Sequence, residues 1–290
     1  AWTDTWETAR GWLREKLDGL PLEEQVDQAG NQWWTLRGAS EREVLIGGHI
    51  DSVPNGGWLD GALNVVAGVE VVRRLAEDGE PATTVRLVNW ADEEGARFGR
   101  SLFGSSAAAG SMDDQDELRQ RRDLEGGLLP EILAARGVEL DRALEARSQL
   151  ENAAAYLELH IEQGPVLESM DLALGVVLGT FGVERHQVTF TGQAAHAGST
   201  PMDKRRDALA GAARLELELR QIAERTGDGA VCTMGGVVTK PGIVTSVVET
   251  AECLLDQRHL DAVKLAEMLS NAEAASRRFA QDEDVEVAWE

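Results

Sequence analysis

Six side chains among the first 160 residues could hold a cation and move a proton. His49 and Asp51 stand two apart in Gly48-His49-Ile50-Asp51, and Asp60 follows the turn residues Pro54-Asn55-Gly56-Gly57. Glu93 and Glu94 adjoin in Ala91-Asp92-Glu93-Glu94-Gly95, and His160 lies in Leu157-Glu158-Leu159-His160-Ile161-Glu162-Gln163-Gly164. Imidazole nitrogens and carboxylate oxygens are the donors that hard or borderline divalent cations favour. A carboxylate beside such a cation can also hold and deprotonate a water. Taken singly, each word has a plainer reading: a structural His next to a solvated Asp, an acidic turn, a buried hydrogen-bonded His. The chemistry depends on the fold gathering them.

Val44-Leu45-Ile46 can enter a sheet as a buried strand, which sets His49 and Asp51 on one face. Asp60 comes just ahead of an apolar helical segment running from Ala62 to Leu75. A strand end, a glycine-rich turn and a helix start bring one imidazole and two carboxylates to the place where an α/β sheet binds ligands. Trp2 to Leu17 reads as an amphipathic helix with Trp2, Trp6, Ala9, Leu13 and Leu17 at helical spacing. Glu24 to Asp27, Trp33 to Leu36 and Val44 to Ile46 read as strands around the Asn31 turn, Val65 to Ala76 as helix and Thr84 to Trp90 as a β-rich run. That run ends at the Glu93-Glu94 pair, whose side chains point in different directions and can take different jobs. Ser111 to Leu150 is charged and reads as a helical cover with a solvated face. The alternating strand after it delivers His160 at its end, before the Gly164-Pro165 break.

The pattern changes near Gly179 to Gly182. From there the chain reads strand Gln187 to Thr191, helix Asp203 to Ala223, strands Val231 to Val238 and Ser246 to Asp256, helix Ala262 to Phe279 and strand Val285 to Trp289. This β-α-β-β-α-β order is the ferredoxin-like split unit, with both helices on one sheet face. The expected domains are therefore 1–180, carrying the metal-binding words, and 181–290, a compact α+β domain.

Composition supports this frame. A chain of 290 residues, 43% hydrophobic and 27% charged, describes a globular protein with enough core for two domains. A net charge of -23 argues against nucleic acid or an anionic membrane surface as partner. Cys232 and Cys253 form neither a disulfide framework nor a Cys-x-x-Cys site, which fits a reducing cytoplasm. No run reaches the ~18 apolar residues of a membrane span, and no basic-then-apolar signal opens the chain. The sequence starts at Ala1 without Met and stops in a predicted strand, so a piece of a longer protein is expected.

Five words, GGHIDSVPNGGWLDGALNVVAG, NWADEEGARFGRSLFGS, LELHIEQGPVLE, HAGSTPMDKRRDA and LLDQRH, span nearly the whole chain. In these the chain resembles the dinuclear-metal amidohydrolases that include N-carbamoyl-L-amino acid hydrolases, allantoate amidohydrolases and β-ureidopropionases, relatives of the zinc aminoacylases and carboxypeptidases. The resemblance implies an α/β metallopeptidase-like catalytic domain, incomplete at its C-terminal part, followed by a ferredoxin-like lid and dimerisation domain. It implies two divalent ions (Zn, Mn, Co or Ni), with His49 and His160 on one, Asp60 bridging and Glu94 on the other. Asp51 would fix the tautomer of His49, and Glu93 would be the general base that hydrolyses a ureido C–N bond. His196 would stabilise the oxyanion, reaching the neighbouring subunit's site. Arg258 would pair with a substrate carboxylate, and Gln163 would orient His160 or touch substrate. His186 and His259 read as surface or packing residues.

Three departures from the family pattern qualify these expectations. Thr245-Ser246-Val247-Val248 replaces the family's Asn-x-x-Pro word, and Val183 follows Gly182 where allantoate hydrolases carry Gln. Both point away from allantoate and towards a substrate with an apolar side chain. The family's further C-terminal His has no counterpart after Arg258. On that ground the 290 residues alone are expected to hold the second ion weakly and to turn over little, the longer parent being the enzyme. The alternatives are aminoacylase-like or peptidase-like hydrolysis of an ordinary amide, or a non-catalytic dimeric binding module.

Overall fold

Trp33 and Trp34 point to opposite faces of one strand, and around them the first sheet acquires a core on each side. The computed structural model describes all residues from Ala1 to Glu290. The chain divides into two compact units, Ala1–Ala173 and Leu174–Glu290, a division earlier than the 180/181 boundary read from the change in pattern.

In the first unit, β1 (Glu23–Val26), β2 (Gln32–Leu36), β3 (Glu43–His49), β4 (Thr84–Trp90) and β5 (Ala153–Leu157) form one sheet in the order β1-β2-β4-β3-β5. The β1-β2-β4 pairings are antiparallel, whereas β4-β3 and β3-β5 are parallel. Parallel neighbours need a crossover, which α2 (Ala62–Asp78) supplies between β3 and β4. Val65, Val69 and Val72 of α2 join Leu13 and Leu17 of α1 (Asp4–Leu17), Trp34, Ile46 and Leu87 in one core. The other core gathers Trp2, Trp6, Trp33, Trp90 and Phe103 with residues from the connection between β4 and β5.

That connection differs from the continuous helical cover expected over Ser111 to Leu150. It consists of α3 (Phe103–Ala109), the short α4 (Gln115–Leu118) and α5 (Leu129–Ala134), and a 3-10 helix over Leu140–Leu150. Its charges tie the pieces together, as in Arg119–Asp141 and Arg97–Asp123, while Asp116, Glu117, Arg119 and Arg122 stay exposed, as expected of a solvated face. The sequence reading missed α3, whose first turn follows a left-handed Leu102 (φ 62°). The helix α1 starts at Asp4 because Thr3 caps it, its side chain accepting from the Trp6 amide. Every residue of the edge strand β5 is exposed. It ends at Leu157, so His160 sits in the loop three residues beyond, ahead of the one-turn α6 (Val166–Ser169), and not at the strand's end.

In the second unit, β6 (Gly182–Thr191), α7 (Ala208–Thr226), β7 (Val231–Lys240), β8 (Thr250–His259), α8 (Ala262–Asp282) and β9 (Glu286–Trp289) form an antiparallel sheet in the order β7-β8-β6-β9, the ferredoxin-like arrangement. Alternate residues of β8, Ala251, Cys253 and Leu255, are buried with Leu215 and Leu219 of α7 and Met268 and Ala272 of α8. The helix α7 begins at Ala208 and not at Asp203, because the Asp207 side chain caps it and residues Met202–Lys204 form a separate 3-10 turn. β8 starts four residues later than the Ser246 start read from the sequence and runs on to His259, which carries Arg258 into the strand.

Candidate metal centre

The end of β3 and the start of α2 hold the first two donors. His49 and Asp60 are buried, and His49 Nε2 lies 3.9 Å from Asp60 Oδ1 and 3.6 Å from Glu93 Oε2. His160 Nε2 approaches the same Asp60 Oδ1 to 3.2 Å. The two imidazoles, distant in sequence, thus meet on one carboxylate oxygen. His49, Glu93 and Glu94 each offer a ligand atom within 4.8 Å of the others.

The tautomers follow from the main chain. His49 Nδ1 lies 2.8 Å from the Asp51 carbonyl, and His160 Nδ1 lies 2.6 Å from the Ile161 carbonyl. A carbonyl can only accept, so in each ring Nδ1 carries a proton, and in the neutral ring Nε2 is the atom whose lone pair can take a ligand. This corrects the role expected of the Asp51 carboxylate. Its Oδ1 is 3.8 Å from His49 Nδ1, and the two oxygens instead accept from the main-chain amides of Glu93 (3.3 Å) and Glu94 (3.1 Å). Asp51 therefore ties the loop after β4 to the loop after β3.

A divalent cation fits this donor set. Asp60 Oδ1 is buried with no hydrogen-bond partner, a costly condition for a carboxylate oxygen unless a cation meets it. Burial raises Glu93 and Glu94 above the usual carboxylate range, the imidazole of His49 opposing the shift and the neighbouring carboxylates adding to it. A cation would relieve all of these at once. Gln163, left-handed at φ 57°, donates its amide to Asp60 Oδ2 and not to His160.

Sequence reasoning passed over a second polar chain beside the donors. Asn64 Nδ2 donates to Glu158 Oε1 (2.8 Å), Tyr156 Oη donates to Glu158 Oε2 (2.5 Å), and Trp90 Nε1 donates to Tyr156 Oη (3.0 Å). The position of Glu158, two residues before His160, was the available signal. A cavity of about 430 Å3 lined by Leu45, Trp90, Leu102 and Tyr156 adjoins His49 and Glu93.

Gly61 makes the close packing of His49 possible. It has φ +68°, and a Cβ there would lie 2.4 Å from three atoms of the His49 ring. Gly61→Ala is expected to cost on the order of 2 kcal/mol or more through backbone strain and overpacking and to weaken cation binding by moving the ring. Urea unfolding followed by tryptophan fluorescence, with a Mn2+ titration of the folded protein, checks both effects. An unchanged midpoint with unchanged affinity would contradict this account.

In the second unit, His196 is exposed, and its Nδ1 accepts from the Gly198 amide at 3.1 Å. Its neutral ring therefore carries the proton on Nε2, a free donor. Arg258 forms a two-point pair with Asp256 (2.6 and 3.1 Å), which Arg185 also contacts at 3.0 Å. This is the strand ion pair that alternation on β8 permits. His186 Nε2 lies 3.1 Å from Glu184 Oε2, and His259 is buried.

Comparison with known proteins adds an independent line. The sequence pattern of peptidase family M20/M25/M40 matches residues 45–287. An N-carbamoyl-L-amino acid amidohydrolase of Geobacillus stearothermophilus is 38% identical over 267 residues, covering 91% of this chain and 64% of that protein. An allantoate amidohydrolase of Escherichia coli K12 is 34% identical over 286 residues, covering 97% of this chain and 69% of its own length. This chain thus spans less than two thirds of the first relative. Among solved structures, an amidase of the hydantoinase/carbamoylase family from Burkholderia multivorans superposes with a TM-score of 0.86 at 32% identity, covering 100% of this chain and 70% of that one.

Proposed function

The chain belongs to peptidase family M20/M25/M40, and from that premise we propose that the protein it represents hydrolyses the ureido C–N bond of N-carbamoyl-L-amino acids in a metal-dependent reaction. The observation that carries this reading is the meeting of His49 and His160 on the unpartnered Asp60 Oδ1. Members of the family typically use divalent ions. We propose two here, drawn from Zn, Mn, Co and Ni, with His49, His160, Asp60 and Glu94 as their protein ligands.

Bound cations would supply Lewis-acid activation of water and of the ureido carbonyl. The chain's own residues would do the rest. Glu93 takes a proton from the attacking water and returns it to the leaving nitrogen. His196 Nε2–H, reaching the neighbouring subunit's site, donates to the oxygen on which negative charge develops. Arg258 meets the substrate carboxylate, releasing or sharing Asp256 to do so. Asp51 holds the Glu93 and Glu94 amides, and Gln163 steadies Asp60. Water adds at the carbonyl and the C–N bond breaks, leaving the amino acid and carbamate, which decays to carbon dioxide and ammonia. A homodimer formed through the second unit, and a cytoplasmic setting, complete the proposal.

Ammonia release from N-carbamoyl-L-amino acids, measured with added Mn2+, Co2+, Ni2+ or Zn2+ beside the N-acetyl analogues, tests the reading. One ammonia per amino acid, dependent on cation, is expected. Hydrolysis of the N-acetyl compounds with the N-carbamoyl ones untouched would replace it with ordinary amide hydrolysis.

A further inference from the structure

We infer that Asn31, braced by Asp27, is a positioning residue for the Glu93-Glu94 pair. The inference rests on the reading of those two carboxylates as cation-facing groups. The loop that carries them leaves β4 through a left-handed Asp92 (φ 53°) and runs beside the left-handed Leu102 (φ 62°). Two non-glycine residues in this region need surroundings that over-determine them. Three successive carbonyls of the loop, Ala91, Asp92 and Glu93, accept from the amides of Gly104 (2.8 Å), Phe103 (3.1 Å) and Leu102 (2.7 Å).

Asn31 closes this ladder at its base. Its carboxamide is fully buried, Oδ1 accepting from the Ala91 amide at 2.9 Å and Nδ2 donating to the Gly104 carbonyl at 3.2 Å. The second Nδ2 hydrogen goes to Asp27 Oδ2 at 2.9 Å. Asp27 is filled in turn by the amides of Ala29 and Asn31 and by the Trp33 indole. An ionised carboxylate only accepts, so Asp27 fixes which end of the Asn31 amide faces it. A Cβ at Gly104 would lie 1.9 Å from Asn31 Oδ1, so the first turn of α3 passes the amide with no room for a side chain.

The bracket therefore grips Ala91, two residues before Glu93, from one side, while Asp51 grips the Glu93 and Glu94 amides from the other. Ligand carboxylates held by outer groups of this kind bind cations about 10–100-fold more tightly than when the outer groups are removed. Asn31 touches neither the donors nor substrate and acts only through the loop.

Asn31→Ala removes both contacts, and Asn31→Asp sets a carboxylate against Asp27 and the Gly104 carbonyl. In both variants we expect the Mn2+ dissociation constant, by calorimetry, to rise at least about tenfold. Without any cation, hydrogen exchange at the Glu93 and Glu94 amides should accelerate at least about tenfold while the β3 amides keep their protection. Leu133→Ala, a core truncation on α5, should lower thermal stability and leave both quantities within about twofold of the parent. Parental affinity and exchange in the Asn31 variants would overturn the inference. So would failure of both variants to fold at any temperature, which makes Asn31 a residue of the core. If the parent itself binds no Mn2+, the metal reading fails and the exchange measurement still decides the role of Asn31.

Discussion

Asp60→Asn is expected to raise the melting temperature of the cation-free chain and to abolish its stabilisation by divalent ions. The two effects have one origin. Asp60 is buried, its Oδ1 has no hydrogen-bond partner, and it faces a pocket where Glu93 and Glu94 are already held above their ordinary range. Removing that charge takes away a repulsion and a desolvated, unpaired oxygen, a gain of about 1 kcal/mol by the usual cost of such groups. For a unit of this size that is about 2–4 °C. The amide also gains a donor that His160 Nε2, at 3.2 Å from the present oxygen, can accept. In the parent, a cation at about one hundred times its dissociation constant adds about 2.7 kcal/mol. The variant, lacking the shared oxygen, should show none of this. Calorimetric scans with and without Mn2+ or Co2+ measure both. A variant that melts below the parent and still rises with cation would refute the assignment of Asp60 as the shared ligand.

Glu93→Gln and Glu94→Gln should separate into different failures. Both carboxylates lie within reach of His49 Nε2 as possible ligands, so geometry alone leaves two ways to divide their tasks. With Glu93 as base, its glutamine variant keeps cation affinity within about threefold, while ammonia release in a form of the protein that turns over falls about 10^2–10^4-fold. With Glu94 as ligand, its variant weakens cation binding by about 100-fold or more, with lost turnover following from lost cation. Affinity titrations and kcat measured side by side decide the matter, and the opposite pattern would exchange the two roles.

The parts of this fold readable from sequence are those where one physical pattern dominates a segment. Thr84–Trp90 was read to the residue because it is an uninterrupted buried run, and the β-α-β-β-α-β order because each element has its own period. The candidate donors are legible because their residue types are few and sit at turns. What escaped depends on contacts between distant segments. The periodicity of Phe103–Ala109 is too short to register, and its start rests on a left-handed leucine. The attachment of the Asp51 carboxylate to two amides some forty residues away leaves no trace in local spacing. Asn31 looked like a turn residue, which it is, and nothing nearby announces the loop that its amide meets sixty positions later. Arg258 and Asp256 were readable as partners because strand alternation puts them on one face.

The buried bond from the Trp2 indole to Asp92 Oδ2, at 2.7 Å, joins positions 90 apart in sequence. Closing so long a loop carries an entropic cost that local turns avoid, so the segment bearing Glu93 is held in part by a contact that its own neighbours in sequence do not supply. The loop that carries the Glu93-Glu94 pair is thereby anchored to the earliest-synthesised part of these 290 residues. A proteolytic nick ahead of Thr3 would be felt at the Glu93 carboxylate, far from the severed peptide bond in covalent distance.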